Sequence, residues 1–222
     1  MFVNYLNEIG LDISFVVCKE QGDIILKKLC HNLNIEIFDY DTFEHLVLES
    51  KIPKVDYAFS WNFGRLISKK VINYFDGNII NFHPGPLPEY KGVFGINFAI
   101  YDQIDYWGAT VHFVDEKFDN GNIIYCEKFK LDIEDDVNSI QEKTQNQLYY
   151  LAVKVINNIK NEIPLPIEKQ DNYGKYISRK DFEQKKKICM NDKNQEIDKK
   201  IDAFFIHLMK EPMWRLMVSI IH

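Results

Sequence analysis

Short apolar runs alternate with amphipathic segments along the first half of the chain. The runs are rich in Ile, Val and Phe, as buried β-strands are, and lie at 12–18, 35–38, 55–60 and 78–82. The segments between them repeat apolar residues every three or four positions, and they predict helices at 22–32, from Asp41 onwards and at 66–75. This alternation predicts an α/β fold with βαβ units and a mostly parallel sheet.

The pattern continues as far as a pair of prolines. A helix is predicted near 94–101, strands at 109–114 and 123–131, and a long helix at 136–160. Pro164 and Pro166 then end the regular pattern. We therefore place a domain boundary there, with a main domain at 1–163 and a small C-terminal extension at 164–222.

The first residues do not fit the usual start of an α/β chain. Phe2, Val3, Leu6 and Ile9 recur at helical spacing, where a buried strand is the normal opening. We therefore expect that the first strand of the sheet is missing. The loss of a central strand leaves two exposed strand edges and an open core.

Composition excludes several classes of protein. Of the 222 residues, 46% are hydrophobic and 27% charged, which is typical of a folded domain with its own core. The net charge of −6 argues against a nucleic-acid partner, and no apolar run is long enough to span a membrane. The four cysteines lack metal-ligand spacing, and Cys18 and Cys30 are expected in the core. No secretion signal is found at the N-terminus, so the cytoplasm is the expected location.

The densest chemical signal is Asn-Phe-His-Pro-Gly-Pro-Leu-Pro at 81–88. Asn81 and His83 lie two positions apart where a strand ends, so their side chains leave on the same face. The prolines and glycine that follow restrict the backbone to a fixed loop. Open α/β sheets bind ligands at this edge, where an amide and an imidazole can stabilise an oxyanion and move a proton.

A second segment, 109–121, carries a turn aspartate and a strand histidine. Asp119 lies in a turn just before Gly121, a position that aspartate commonly takes for local reasons. His112 lies on a strand and is interpreted as a structural histidine.

Three segments together resemble the 10-formyltetrahydrofolate-dependent formyltransferases. They are Phe-Gly-Arg-Leu-Ile-Ser at 63–68, the segment at 81–88, and Thr-Val-His-Phe-Val-Asp-Glu-Lys-Phe-Asp-Asn-Gly at 110–121. Their order and spacing match, and the resemblance runs from about residue 1 to 133. The tail at 174–182 is similar to the segment after the catalytic domain in nucleotide-linked amino-sugar N-formyltransferases. The resemblance implies a Rossmann-like fold.

The resemblance also assigns catalytic roles. Asn81, His83 and Asp119 match the family's catalytic triad. His83, as imidazolium, and the Asn81 amide would stabilise the oxyanion that forms when an amine attacks the formyl carbon. Asp119 would keep His83 charged and relay the amine proton towards the leaving nitrogen.

The co-substrate that the family implies is N10-formyltetrahydrofolate, without a metal. The residues that match its binding stretch form two groups. The implied cofactor-binding residues are Phe63, Arg65, Leu66 and Ile67 on one side, and Val114, Asp115 and Phe118 on the other.

The tail favours a nucleotide-linked amino sugar as the acceptor, of the dTDP-4-amino-4,6-dideoxyglucose type, for surface-polysaccharide synthesis. Aromatic and basic residues near the site are the candidates for binding it. They are Trp61, Asn62, Tyr90, Lys91, Tyr173, Lys175 and Tyr176. Enzymes that look like this one tend to form a homodimer through the C-terminal part.

Other functions stay open at this point. Within the family, the acceptor could be glycinamide ribonucleotide, methionyl-tRNA or, in a hydrolase, water. The chain could also be an N-terminally truncated remnant that binds without catalysis. A dinucleotide oxidoreductase is disfavoured because no GxGxxG follows a predicted strand. Residues 201–206 resemble a short strand of related sugar enzymes, and 214–222 match nothing recognised.

Overall fold

The computed structural model of the protein describes residues 2–18, 24–170 and 173–205, and the backbone of 216–221. Nine strands lie in the described part of the chain. They are β1 (Asp12–Cys18), β2 (Glu36–Asp39), β3 (Tyr57–Trp61), β4 (Ile79–His83), β5 (Tyr90–Gly92), β6 (Tyr106–Phe113), β7 (Ile123–Lys130), β8 (Lys175–Ile177) and β9 (Leu216–Ile221).

Eight helices connect or cover these strands within the described residues. They are α1 (Phe2–Glu8), α2 (Ile24–Asn32), α3 (Tyr40–Leu48), α4 (Lys69–Tyr74), α5 (Gly95–Asp102), α6 (Val137–Lys160), α7 (Arg179–Lys185) and α8 (Asn194–Phe204). Side chains begin several of them: Asp136 caps α6 by accepting from the Ser139 backbone, and Ser178 caps α7 in the same way. Among these helices, none is long and apolar enough to cross a membrane.

Seven strands form one sheet in the order β2-β1-β9-β3-β4-β6-β7. Five of them point the same way, and only β9 and β6 run in the opposite direction. The mostly parallel α/β sheet predicted from the sequence is therefore confirmed. β5 and β8 pair in parallel as a separate two-stranded sheet beside it.

Apolar side chains fill both faces of the sheet. On one face, α1 and α6 cover a core that includes Phe59, Phe82 and Val155. On the other face, α3 and α4 cover a second core around Phe43 and Phe75. The α1 helix predicted at the start of the chain is confirmed, and its Phe2 ring contacts three aromatic rings of the first core.

The centre of the sheet differs from the expectation. An open position was predicted there, whereas β9 lies between β1 and β3 and runs antiparallel to both. Val218 is opposite Val16 of β1 and Phe59 of β3. Main-chain pairing on both sides of β9 removes the two exposed edges that a missing strand would leave.

The predicted extension is not confined to one side of the molecule, because β8 pairs with β5 and β9 lies within the main sheet. The strand expected at 201–206 is wrong for its described residues, since α8 continues to Phe204. Lys200, Ala203 and Phe204 form the buried face of that helix, with the three- and four-residue spacing of an α-helix. Residues 206, 214, 215 and 222 lie outside the described part.

A proline in β9 tests whether this strand closes the sheet. Ser219→Pro removes one main-chain donor from a strand that is paired on both sides, so we expect a loss of about 1–3 kcal/mol in the free energy of unfolding. Urea denaturation measures the loss, with Ser219→Ala as the control that keeps the donor. Equal stability of the two variants would show that β9 is not part of the folded sheet.

Candidate active site

β4 brings the first two site residues, Asn81 and His83, to the edge of the sheet, and a rigid loop follows it. The hydroxyl of buried Thr110, on the neighbouring strand β6, accepts from the Leu87 N–H at 3.0 Å and donates to the Gly85 carbonyl at 2.7 Å. A side chain at Gly85 would bring its Cβ within 2.9 Å of His83 Nε2. Glycine at this position therefore leaves room for the imidazole.

His83 and Asp119 form a buried ion pair. His83 Nδ1 lies 3.4 Å from Asp119 Oδ1, and His83 Nε2 donates to the Tyr90 carbonyl oxygen at 2.7 Å. Burial lowers the pKa of His83, whereas the charge and the hydrogen bond of Asp119 raise it. The raising effects together outweigh that of burial, so the pKa lies above its usual value. Burial likewise raises the pKa of Asp119, but the charge of His83 holds it well below its usual range. Each group therefore favours the charged form of the other.

Asn81 is oriented by a second buried histidine. The ring Nδ1 of His112 faces the Phe113 carbonyl at 2.7 Å and must carry the proton. Its Nε2 can then accept from the Asn81 amide nitrogen, which lies 3.0 Å away. The second N–H of the Asn81 amide stays available to the cavity that Asn81 lines.

The turn that carries Asp119 is held from several sides. Asp119 has a left-handed backbone conformation with φ of +51°, which is uncommon for a residue other than glycine. Its carboxylate accepts from the Gly92 N–H at 2.8 Å. The side-chain amide of Gln170 donates to the carbonyls of Asp119 at 3.2 Å and Gly121 at 2.6 Å. Gln170, which follows the predicted domain boundary, thus supports this turn.

A cavity of about 440 Å³ opens onto these residues. Its lining includes the apolar side chains of Phe63, Leu66, Ile67, Val114 and Phe118. Residues 92–97, Tyr176 and Arg179 line it as well. Burial and the charge of Asp119 raise the pKa of Tyr176, because its phenol lies close to the carboxylate.

Most of the predicted site residues line this cavity. They are the triad Asn81, His83 and Asp119, the binding set Phe63, Arg65, Leu66, Ile67, Val114, Asp115 and Phe118, and the acceptor candidates Asn62, Tyr90 and Tyr176. The Arg65 guanidinium is already paired with Asp41 and lies 4.4 Å above the Tyr40 ring.

Four predicted acceptor residues are not among those that line the cavity. The Trp61 indole is buried and donates to Gln145 at 3.2 Å. The Lys91 ammonium is directed to Asn120. Tyr173 and Lys175 line a separate open cleft of about 690 Å³, on the other side of Tyr90.

The sequence did not point to three residues that the fold adds to the site. His112 was interpreted as structural, although its alternation with Val111 and Phe113 placed it on the face opposite those apolar residues. Gln170 follows the proline pair in a segment without regular pattern. Arg179 reaches the cavity because β8 pairs with β5 and because Phe182 of α7 stacks on Phe94 at 4.1 Å.

The family model for formyl transferases matches residues 44–156, just over half of the chain. Among curated proteins, methionyl-tRNA formyltransferase of Lachnospira eligens is 29% identical over 134 residues, which are 60% of this chain and 42% of that protein. The enzyme of the same name from Halothermothrix orenii is 29% identical over 189 residues, 78% of this chain and 60% of the relative. The chain therefore spans about half the length of these relatives.

Solved structures of sugar N-formyltransferases are also similar. The N-formyltransferase of Helicobacter canadensis, in complex with folinic acid and dTDP-3-aminofucose, is 28% identical with a TM-score of 0.64, over 79% of this chain and 62% of that one. A 4-N formyltransferase of Francisella tularensis is 25% identical with a TM-score of 0.73, over 90% and 82%.

The buried ion pair predicts a stability optimum in mildly acidic solution. Since the pKa of Asp119 is lowered by folding, its contribution is lost as pH falls below about 3.9, its unfolded value. Since the pKa of His83 is raised, its contribution is full below about 6.5 and is lost as pH rises through the folded value. In thermal melts from pH 3 to 9, the melting temperature of the wild type should exceed that of Asp119→Asn by the largest margin between about pH 3.9 and pH 6.5. A difference that does not vary with pH would contradict the ion pair.

Proposed function

The chain belongs to the formyl transferase family, and we propose that it transfers the formyl group of N10-formyltetrahydrofolate to the amine of a nucleotide-linked amino sugar. The observation that carries this proposal is the cluster of Asn81, His83 and Asp119 at one cavity. The lining of that cavity includes apolar side chains such as Phe63 and the guanidinium of Arg179, so it offers contacts to two substrates of different chemistry.

The apolar lining residues fit the flat pterin ring of a folate. Phe63, Leu66 and Val114 offer apolar walls. When bound there, the folate supplies the formyl carbon. Its carboxylates are anionic, and Lys117 at the rim of the cavity is a charge that could meet them.

The cluster supplies the electrostatics of acyl transfer. The free N–H of Asn81 and the positive charge of His83 would stabilise negative charge on the formyl oxygen while the amine attacks. The Asp119 carboxylate keeps the imidazolium charged. A new N–C bond forms as the bond to the folate nitrogen breaks, and Asp119 would help one amine proton to reach that nitrogen.

Arg179 favours an anionic acceptor. It lines the cavity with its guanidinium 5.5 Å from the Phe94 ring centre, and no carboxylate among the described residues forms an ion pair with it. Guanidinium groups recognise phosphate oxygens in a planar, two-bond arrangement. The Helicobacter canadensis structure, with its dTDP-linked amino sugar, supports the same class of acceptor.

Methionyl-tRNA is the second candidate acceptor, favoured by the names of the curated relatives. Against it stands the net charge of −6, which opposes the binding of an extended polyanion.

The deciding experiment measures tetrahydrofolate release from N10-formyltetrahydrofolate with a panel of acceptors. The panel contains dTDP- and UDP-linked amino sugars, glycinamide ribonucleotide, methionyl-tRNA and no acceptor. We expect turnover with an amino-sugar nucleotide and a loss of about 10²-fold or more in His83→Ala, because a main source of oxyanion stabilisation is removed. Turnover with methionyl-tRNA alone, or without any acceptor, would overturn the sugar proposal. Near-normal turnover of His83→Ala would overturn the catalytic assignment.

Arg179→Gln tests the binding of the acceptor separately from catalysis. Loss of a charge-assisted contact to phosphate should raise the KM for the amino-sugar nucleotide about 10-fold or more, with the KM for the folate and kcat nearly unchanged. Lys180→Gln, the exposed neighbour that does not line the cavity, is the matched control. An unchanged KM in Arg179→Gln would remove this residue from the acceptor site.

A further inference from the structure

Lys91 of β5 is a buried cation without an acidic partner. The residue is only 8% exposed, and its ammonium donates to the Asn120 side-chain carbonyl at 3.0 Å. Among the described residues, no carboxylate forms an ion pair with it. Burial of an ammonium is costly unless the surrounding structure compensates for it. Its position close to the candidate catalytic residues therefore calls for an explanation.

The Asn120 side chain connects this ammonium to the loop that carries Asp119. Its amide nitrogen donates to Asp115 Oδ2 at 3.1 Å, and Asp115 Oδ1 accepts from the Lys117 backbone at 2.9 Å. These bonds close the loop from residue 115 to residue 120 on itself. Asp119 is the residue directly before Asn120, so the bonds of the Asn120 side chain help to fix the part of the loop that carries Asp119.

Three consecutive residues of β5 contact His83, Asp119 and Asn120. The Tyr90 carbonyl accepts from His83, the Gly92 N–H donates to the Asp119 carboxylate, and Lys91 holds Asn120 between them. β5 thus fixes both charged groups relative to each other. Of its three contacts, only the one from Lys91 is made by a side chain and can be changed by substitution.

We propose that Lys91 is a positioning residue, which sets the place of the Asp119 carboxylate against His83 through Asn120. Its test by kcat and KM rests on the proposed function, whereas its test by NMR titration of His83 does not. The groups that face the ion pair are His112 of β6, Tyr176 of β8, and the backbone of Tyr90 and Gly92. None of them replaces the contact of Lys91 with Asn120.

The test compares Lys91→Met with Lys91→Arg and with Lys130→Met. Methionine keeps most of the length of the side chain without its charge, and arginine keeps the charge. Lys130 is an exposed lysine at the end of β7 that does not line the cavity. We expect kcat to fall about 10- to 100-fold in Lys91→Met, the scale for a misplaced catalytic group, with the KM of the acceptor within about 2-fold. Lys91→Arg should recover most of the loss, and Lys130→Met should behave as wild type.

A pH profile separates positioning from a merely structural role. If His83 acts as imidazolium, activity falls as pH rises through its pKa, so a weaker contact with Asp119 should move the alkaline limb to lower pH in Lys91→Met. NMR titration of the His83 imidazole in the free enzyme should show the same downward displacement. Asn120→Ala should reproduce both effects, and the double variant should be no worse than either single one.

Two results would overturn the proposal. A raised KM for the acceptor with unchanged kcat would make Lys91 a substrate-binding residue. If Lys91→Met lowered the melting temperature but left kcat and the His83 titration unchanged, the role of Lys91 would be structural only. If the wild-type enzyme turned over no acceptor, the proposed function would fail, and the His83 titration would still decide the role of Lys91.

Discussion

The buried pair of His83 and Asp119 is the constraint on which the site depends. Each charge would be costly in the interior alone, and each is tolerated because the other lies beside it. The pair also explains why so many elements converge on one turn. β4 supplies the histidine, the turn after β6 supplies the carboxylate, β5 supplies backbone partners to both, and Gln170 of the extension holds the turn itself.

The sheet makes this convergence possible by placing β4 and β6 side by side. Asn81 is opposite His112 in the register of the two strands, and His83 is opposite Thr110. The first pairing orients the catalytic amide, and the second positions the hydroxyl that fixes the proline-rich loop. The local sequence supplies Asn81, His83 and the proline-rich loop, and the pairing of β4 with β6 fixes their positions at the cavity.

The sequence predicted what depends on local pattern. Strand and helix positions followed from apolar periodicity, and Asn81 and His83 from their spacing at a strand end. Contacts between distant segments were not predictable in this way. The direction of Lys91 depends on the pairing of β5 with β8, and the role of Gln170 depends on where an irregular segment returns. The strand at 201–206 was expected from a resemblance to related sugar enzymes, whereas here α8 continues to Phe204.

The position of β9 also determines when the protein can finish folding. This strand pairs with β1, about two hundred residues earlier in the chain, and with β3, so that the two parts of the sheet are joined only through it. During synthesis, β1 and β2 cannot be joined to the remaining strands by main-chain pairing until residues 216–221 have left the ribosome. Up to that moment two facing strand edges stay exposed, and a nascent chain is most open to wrong pairing or to chaperones in this interval.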